Sequence, residues 1–168
     1  MITQVSFFLT LASALGCGLM AGVFFAFSTF VMRALARLPA AQGIAAMQSI
    51  NIVVLNPAFL GVFVGTVVLS LGAVTASVST GWKPATYWLI AGTVLYFFGN
   101  IAVTGACNVP RNDALALLDP ASAEAANIWK EYLVSWSAWN HVRTVTALAA
   151  CAALTIGLWL SRPVAAAQ

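Results

Sequence analysis

The sequence predicts an all-α integral membrane protein, a four-helix bundle forming a single domain over residues 1–168. Composition supports this fold class, because 62% of the residues are hydrophobic, only 7% are charged, and the mean hydropathy is +0.96. A soluble domain has roughly a quarter to a third of its surface residues charged. The few charged residues of this chain could not cover the surface of a soluble domain of this length. Long stretches without any charged residue also indicate helices that cross a membrane.

A helix needs about twenty apolar residues to cross a hydrocarbon core about 30 Å thick. Four stretches are free of charge: Ile2 to Met32, Leu38 to Trp82, Pro84 to Pro110, and Thr144 to Ser161. We therefore predict helices near 5–32, 51–79, 85–106 and 138–160, the last extended by an N-terminal segment at 121–137. The stretches lack the period-two alternation of transmembrane β-strands.

The first helix lacks a basic start and is too long for a cleavable signal core, so we expect it to remain as a membrane anchor. Basic residues are concentrated in the loops after the first and third helices: Arg33, Arg37, Arg111 and Lys130. The opposite side holds Lys83 and Arg162. The positive-inside rule then places both termini outside the cytoplasm. We expect a multi-pass protein of a bacterial inner membrane.

The net charge of +3 is too small and too scattered to indicate nucleic-acid binding, and it fits a protein that faces an acidic lipid surface. Two glycine pairs at helical spacing, Gly18/Gly22 and Gly61/Gly65, let helix backbones approach closely. They could serve the bundle itself or a homo-oligomer. The three cysteines have no metal-type spacing and are interpreted as small packing residues.

Polar side chains on the third helix follow one face: Thr93, Tyr96, Asn100 and Thr104. This face is expected to look inward. Hydrogen bonding without chemistry is the simpler interpretation for the threonines, because Thr commonly bonds its own helix backbone. Asn100 is a candidate substrate-binding residue, because an amide at depth needs a partner.

Three amides lie near the start of the second helix: Gln48, Asn51 and Asn56. Gln48 and Asn51 share a face, and an amide buried there needs a partner or water, so Asn51 is a candidate substrate-binding residue. Helix initiation is the alternative interpretation, with Asn56 capping a helix that begins at Pro57.

The segment Asn108–Asp113 (NVPRND) crowds polar groups beside Pro110, which we expect to stop the third helix. A capped turn, in which Asn112 or Asp113 opens the next helix, explains Pro110 and Asp113 well. It explains Asn108 and Arg111 less well, so these two are candidate catalytic residues.

Large residues leading into the fourth helix fall on one side of it. At about 100° per residue, one arc of about 100° contains Trp129, Tyr132, Trp136, Trp139, Asn140 and Arg143. The arc continues with Ala147, Ala150 and Leu154, which suit a bundle interior. An interfacial aromatic belt is the alternative, but four rings over about 15 Å exceed one headgroup layer. We therefore expect the rings to wall a cavity that binds a hydrophobic small molecule.

His141 is the only histidine, and it could be a metal ligand or a general base beside Asn140. A regular helix points it roughly 150° away from the centre of the aromatic arc, so a structural histidine is an equal alternative. A lone histidine, scattered cysteines and no carboxylate at depth leave no complete metal site. We predict no metal and no cofactor.

Four segments resemble a known family: Gly22–Arg33 (GVFFAFSTFVMR), Met47–Pro57 (MQSINIVVLNP), Asn108–Asp113, and Trp129–Arg143 with its ending WNHVR. Together they are similar to the anthrone-oxygenase-like (noranthrone monooxygenase-like) integral membrane family. The resemblance covers nearly the whole chain, and NVPRND and WNHVR are its specific parts. Characterised members are fungal oxygenases that convert anthrones to anthraquinones with dioxygen and no added metal or flavin. Most bacterial members have no assigned activity.

The resemblance implies a cofactor-independent oxygenase acting on a flat, hydrophobic aromatic. The four rings of the arc would clamp the substrate, while Asn108, Asn140 and Arg143 bond its oxygens and stabilise an enolate. His141, or a water near Arg111, would be the base. The alternative is a non-catalytic membrane protein that binds a quinone, lipid or pigment. A transporter is disfavoured by the small number of helices and the lack of a mid-membrane carboxylate.

Overall fold

The computed structural model describes residues 2–161, and side chains from Gln4 onward. This part of the chain is helical and contains no strand, which confirms the predicted fold class. Four helices are long and apolar enough to cross a membrane: the first span (Gln4–Leu35), the second span (Pro57–Val78), the third span (Pro84–Ala116) and the fourth span (Ala125–Leu160). A connecting helix, Ala40–Val53, joins the first two spans. Arg162, used above for orientation, lies outside the described residues.

The first span changes from α-helix to π-helix at Phe27–Val31 and returns to α-helix at Met32–Leu35. A π-helical turn rotates the residues that follow it relative to those that precede it, and such turns are frequent at functional sites. Ser28 lies in this turn and shares a hydrogen bond of 3.0 Å with Thr144 of the fourth span. The turn therefore lies where the first and fourth spans are joined by polar contacts.

The second span begins at Pro57, not near residue 51, so the predicted helix started about six residues too early and included the last residues of the connecting helix, most of which was not predicted. Asn56 has extended backbone angles, and its Oδ1 accepts a hydrogen bond of 2.9 Å from the Phe59 backbone nitrogen. A residue before proline is disfavoured in the helical region, and an Asn cap satisfies a free N–H of the first turn. Asn56 is thus a helix cap, and Asn51 belongs to the connecting helix.

The third span runs through Pro110 to Ala116, so the prediction that Pro110 stops this helix was wrong. Two π-helical segments precede the proline, Phe97–Ala102 and Thr104–Asn108. Pro110 then lies in the first turn of the last α-helical segment, Val109–Ala116, where a missing N–H costs little. The change of helix type therefore lets the proline lie inside one continuous span.

The fourth span is one helix of 36 residues, so the predicted segments 121–137 and 138–160 are continuous from Ala125 onward. At 1.5 Å per residue it is about 54 Å long, which exceeds a hydrocarbon core of about 30 Å. It packs against both the first and the third spans. The N-terminal part of this helix can therefore contribute side chains beyond the bilayer core.

Close packing within the bundle uses other glycines than the predicted pairs. A Cβ atom on Gly92 would lie 2.8 Å from Cγ of Leu154, and one on Gly157 would lie 2.7 Å from Cδ2 of Leu89. A Cβ on Gly22, Gly61 or Gly65 would meet no atom of the described chain within 4 Å, and one on Gly18 would meet only Sγ of Cys151 at 3.6 Å. Of the two roles left open for these pairs, close packing inside the bundle is therefore limited to an ordinary contact at Gly18, and a homo-oligomer stays a prediction.

Candidate functional site

A cavity of about 480 Å³ lies among the four spans and the connecting helix. Its lining includes the guanidinium of Arg143, a residue that is only 6% exposed. Several lining residues are also exposed on the outer surface and mark the opening: Ile52, Leu55, Leu60, Val109 and Asp113. The opening therefore lies between the end of the connecting helix and the end of the third span.

Arg143 is held by uncharged partners. Its guanidinium carbon lies 4.4 Å from the ring centroid of Phe24 and 5.1 Å from that of Trp136. Nη2 donates a hydrogen bond of 2.8 Å to Asn140 Oδ1, and Nη1 donates one of 3.2 Å to Thr104 Oγ1. Nε finds no hydrogen-bond partner within the described part of the chain. Burying a cation without an anion is costly, so this group is a strong candidate for binding a negatively charged ligand atom.

Asn140 joins the first and fourth spans and positions Arg143. Its Nδ2 donates to the Phe24 carbonyl oxygen and to Ser28 Oγ, both at 2.7 Å. Its Oδ1 accepts the hydrogen bond from Arg143. Both ends of the amide are therefore occupied, which fixes its orientation and leaves the guanidinium in one place beside the cavity.

Three of the predicted aromatic residues form a stack along the fourth span. The ring centroids of Trp129 and Tyr132 are 5.5 Å apart at 15°, and those of Tyr132 and Trp136 are 6.3 Å apart at 24°. Tyr132 Oη and Trp136 Nε1 both donate to Asn112 Oδ1, at 2.8 Å and 2.9 Å. All three rings are almost fully buried, so they pack within the protein and do not form an interfacial aromatic belt.

Of the four rings expected to wall the cavity, Trp136 alone lines it. Trp129 and Tyr132 pack instead against the connecting helix and the end of the third span, in a cluster with Ile44 and Leu115. Trp139 is half-buried and is not part of the lining. The fourth span is 36 residues long, so residues on one face of it contact different neighbours along its length, and these three rings lie outside the lining of this cavity.

The predicted amides divide between the cavity and the bundle core. Asn108 and Asn51 line the cavity. Asn108 Nδ2 donates to the Trp136 carbonyl oxygen at 3.3 Å, while Asn108 Oδ1 and Asn51 Nδ2 have no partner among residues 2–161. Asn100 is buried elsewhere and bonds Thr146 Oγ1 at 3.2 Å. A ligand that donates to Asn108 and accepts from Asn51 would satisfy two polar atoms that are otherwise buried and unpaired.

The remaining polar groups of the predicted stripe and of the second-helix start are mainly structural. Thr93 bonds the Leu89 carbonyl oxygen of its own helix, and Tyr96 bonds the Phe63 carbonyl oxygen of the second span. Gln48 lines the cavity and donates to the carbonyl oxygens of Leu115 and Leu118. It thereby ties the connecting helix to the C-terminal end of the third span.

Two predicted catalytic residues point away from the cavity. His141 is exposed on the outer surface of the fourth span and is not part of the lining. Arg111 is half-buried and donates to the Cys107 carbonyl oxygen of its own helix. Arg111 and Arg143 therefore do not meet in one cavity.

Sequence reasoning missed the roles of five residues that shape the site: Phe24, Ser28, Thr104, Asn112 and Asp113. Thr104 was placed on the inward-facing stripe of the third helix, but its simpler interpretation was a bond to its own helix backbone. The signal for Asn112 and Asp113 was the NVPRND segment itself, which was interpreted there as a capped turn. Phe24 and Ser28 lie in the GVFFAFSTFVMR segment, whose mainly apolar composition gave no signal that either residue belongs to a site. The described residues contain no group of three or more His, Cys, Asp or Glu that could hold a metal ion.

A family model for anthrone oxygenase matches residues 54–153, which is more than half of the chain. The matched region contains the second and third spans and the part of the fourth span that holds Trp136, Asn140 and Arg143. No curated protein and no solved structure matches the chain. The extent of the family match shows that this chain belongs to the anthrone oxygenase family.

Proposed function

We propose that this protein is a membrane-embedded, cofactor-independent oxygenase that converts a flat, anthrone-like aromatic to the corresponding quinone. The observation behind the proposal is Arg143, a buried cation with neutral partners on the wall of a cavity of about 480 Å³. Family membership supplies the reaction class as an analogy, and the cavity supplies a place for it.

The cavity suits a flat hydrophobic ligand. Its volume falls in the range of about 300–1,000 Å³ that is usual for small-molecule sites. Aromatic rings from three spans line it: Phe24, Phe27, Phe59, Phe63 and Trp136. Such rings favour stacked or edge-on contacts with another aromatic. An opening bordered by exposed apolar residues would let a lipid-soluble substrate enter from the bilayer.

The proposed reaction passes through an enolate anion of the substrate, and the role of the protein is to stabilise that anion. Loss of a proton from the methylene carbon of an anthrone gives an enolate, which transfers one electron to dioxygen. Recombination of the two radicals gives a peroxide at that carbon. Loss of the second proton with cleavage of the O–O bond then gives the quinone carbonyl and water. One anthrone and one dioxygen thus give one quinone and one water, and no external reductant is required.

Arg143 would bond the enolate oxygen, with Asn108 and Asn51 as further polar contacts and Trp136 as an apolar contact on the cavity wall. Fixed donors in a site that excludes water stabilise developing charge most strongly. Asn140 and Thr104 would position Arg143 through the two hydrogen bonds described above. Trp129, Tyr132, Trp139, Asn100, His141 and Arg111 have no direct contact with the ligand in this proposal.

The proposed location is a bacterial inner membrane with both termini outside the cytoplasm. Arg33 and Arg37, at the end of the first span, lie at the same end of the bundle as the cavity opening, whereas Lys83 lies at the opposite end. The positive-inside rule would then place the opening in the cytoplasmic half of the bilayer.

The test uses purified protein in lipid nanodiscs, supplied with anthrone and air, with quinone formation and oxygen uptake measured above their spontaneous rates. Arg143→Met should lower kcat/KM by about 10²–10³, the usual effect of losing one oxyanion donor. His141→Gln is the matched control, because His141 is two residues away on the same helix and points outward. Equal rates for Arg143→Met and the wild type would refute the assigned role of Arg143. A bound hydrophobic molecule without any oxygen uptake would instead support the non-catalytic binding protein.

A further inference from the structure

We infer that Asp113 is the base that removes the methylene proton of the substrate. This inference rests on the proposed function, since it names the group that starts the same reaction. Enolate formation requires a proton acceptor inside the cavity, and neither His141 nor Arg111, beside which a water was the other expected base, lines it. The observation is that Asp113 does line it.

Among the described residues that line the cavity, one side chain is an uncommitted proton acceptor of the right kind, a carboxylate. The first and second spans contribute apolar side chains there, and the connecting helix contributes the amides of Gln48 and Asn51 beside apolar residues. The fourth span contributes Trp136, Asn140 and Arg143, of which the guanidinium is already protonated at neutral pH. The third span contributes Asp113, the one carboxylate in the lining.

The surroundings of Asp113 suit reversible proton transfer. The residue is exposed at the opening, so a proton taken from the substrate can pass on to water. Its neighbour Asn112 is fixed by hydrogen bonds from Tyr132 and Trp136, which holds this turn of the helix against the fourth span. Asp113 therefore stands on a rigid element, with its side chain free at the mouth of the cavity.

Two opposite charges in the cavity lining, Asp113 and Arg143, would act on different atoms of the substrate. The substrate C–H bond breaks, its proton goes to the Asp113 carboxylate, and its electron pair moves to the ring oxygen beside the Arg143 guanidinium. A carboxylate can remove a carbon-bound proton in this way because the fixed cation stabilises the enolate that forms. Dioxygen then oxidises the enolate as described above, and Asp113 returns the proton to solvent.

The experiment separates proton removal from oxidation. Under nitrogen and in deuterated buffer, deuterium uptake at the methylene carbon of anthrone is followed by mass spectrometry in nanodiscs containing wild type, Asp113→Asn, Asp113→Glu or Glu131→Gln. Glu131→Gln is the matched control, because it removes one exposed carboxylate at the same end of the molecule outside the cavity lining. Quinone formation in air and anthrone binding are measured on the same samples.

Asp113→Asn should lower both deuterium uptake and quinone formation by about 10²-fold or more, the usual contribution of a general base, with binding changed less than threefold. Asp113→Glu should restore part of both rates, and Glu131→Gln should match the wild type. Wild-type rates in Asp113→Asn would overturn this inference and leave the proposed function standing. If the wild type accelerates neither reaction, the proposed function fails and the inference with it.

Discussion

The hydrogen bonds at Asn112 give a prediction whose size follows from the structure. Asn112 Oδ1 accepts from both Tyr132 Oη and Trp136 Nε1, and the two rings are 5% exposed each. Asn112→Leu keeps the approximate volume and leaves two buried donors without an acceptor. An unpaired buried donor costs about 1–3 kcal/mol, so this substitution should lower the free energy of unfolding by about 2–6 kcal/mol.

The effect of Asn112→Leu should depend on Tyr132. Tyr132→Phe removes one donor and by itself should cost about 0.5–1.5 kcal/mol. In the double variant only the Trp136 indole remains unpaired, which costs about 1–3 kcal/mol, so the double variant should be less destabilised than the sum of the two single variants by about 1.5–4.5 kcal/mol. The unpaired donor that the second change removes is the physical reason for this coupling.

The assay is a double-mutant cycle measured in detergent micelles, with unfolding followed by tryptophan fluorescence as the denaturing detergent is increased. Asn112→Asp is the matched control, because a carboxylate keeps an acceptor for both donors at nearly the same size. Strict additivity of the two single changes would refute the shared acceptor. A stable Asn112→Leu variant would show that the aromatic stack holds without it.

Two further predictions concern packing and access. Gly157→Ala should lower the free energy of unfolding by about 1–3 kcal/mol, because the new methyl group would overlap the Leu89 side chain. Gly65→Ala is the matched control and should not lower it, because the space beside Gly65 is open. Thermal unfolding in micelles measures both variants, and equal effects would contradict the described packing. Ile52→Trp at the cavity opening should raise KM for anthrone several-fold with little change in kcat, because the larger side chain narrows the opening without altering the reacting groups. Steady-state kinetics measure both constants. A fall in kcat with an unchanged KM would argue against substrate entry beside Ile52.

Much of the fold could be predicted because hydropathy acts locally. Each span is long enough to cross a bilayer by its own composition, so four apolar stretches implied four helices. The buried face of the fourth span was also predictable, since Asn140, Arg143 and Ala147 recur at helical spacing and all three are buried. Where local rules were weaker, the prediction was wrong: most of the connecting helix was not predicted, the second span was expected to begin near residue 51, and Pro110 was expected to end a helix.

The site was less predictable, because it depends on which side chains from different helices meet. Trp136, Asn140 and Arg143 could be grouped from one helix, and Asn108 and Asn51 from their polarity at depth. Nothing in a single sequence indicated that Asn112 would accept from two rings. Nor did it indicate which of the basic or acidic residues would face the cavity, since rotation of one helix by half a turn would exchange His141 with Arg143.

The sequence by itself determined that this is a multi-pass helical membrane protein with an unusually polar and aromatic fourth helix, because burial in lipid constrains every residue of a span independently of its neighbours. The tertiary structure alone decided which polar groups share a cavity. Three π-helical segments and a 36-residue helix set the rotation and height of each side chain, and these depend on packing between helices rather than on any one of them. That is why Arg143 and Asp113 line one cavity while His141 and Arg111 lie outside it.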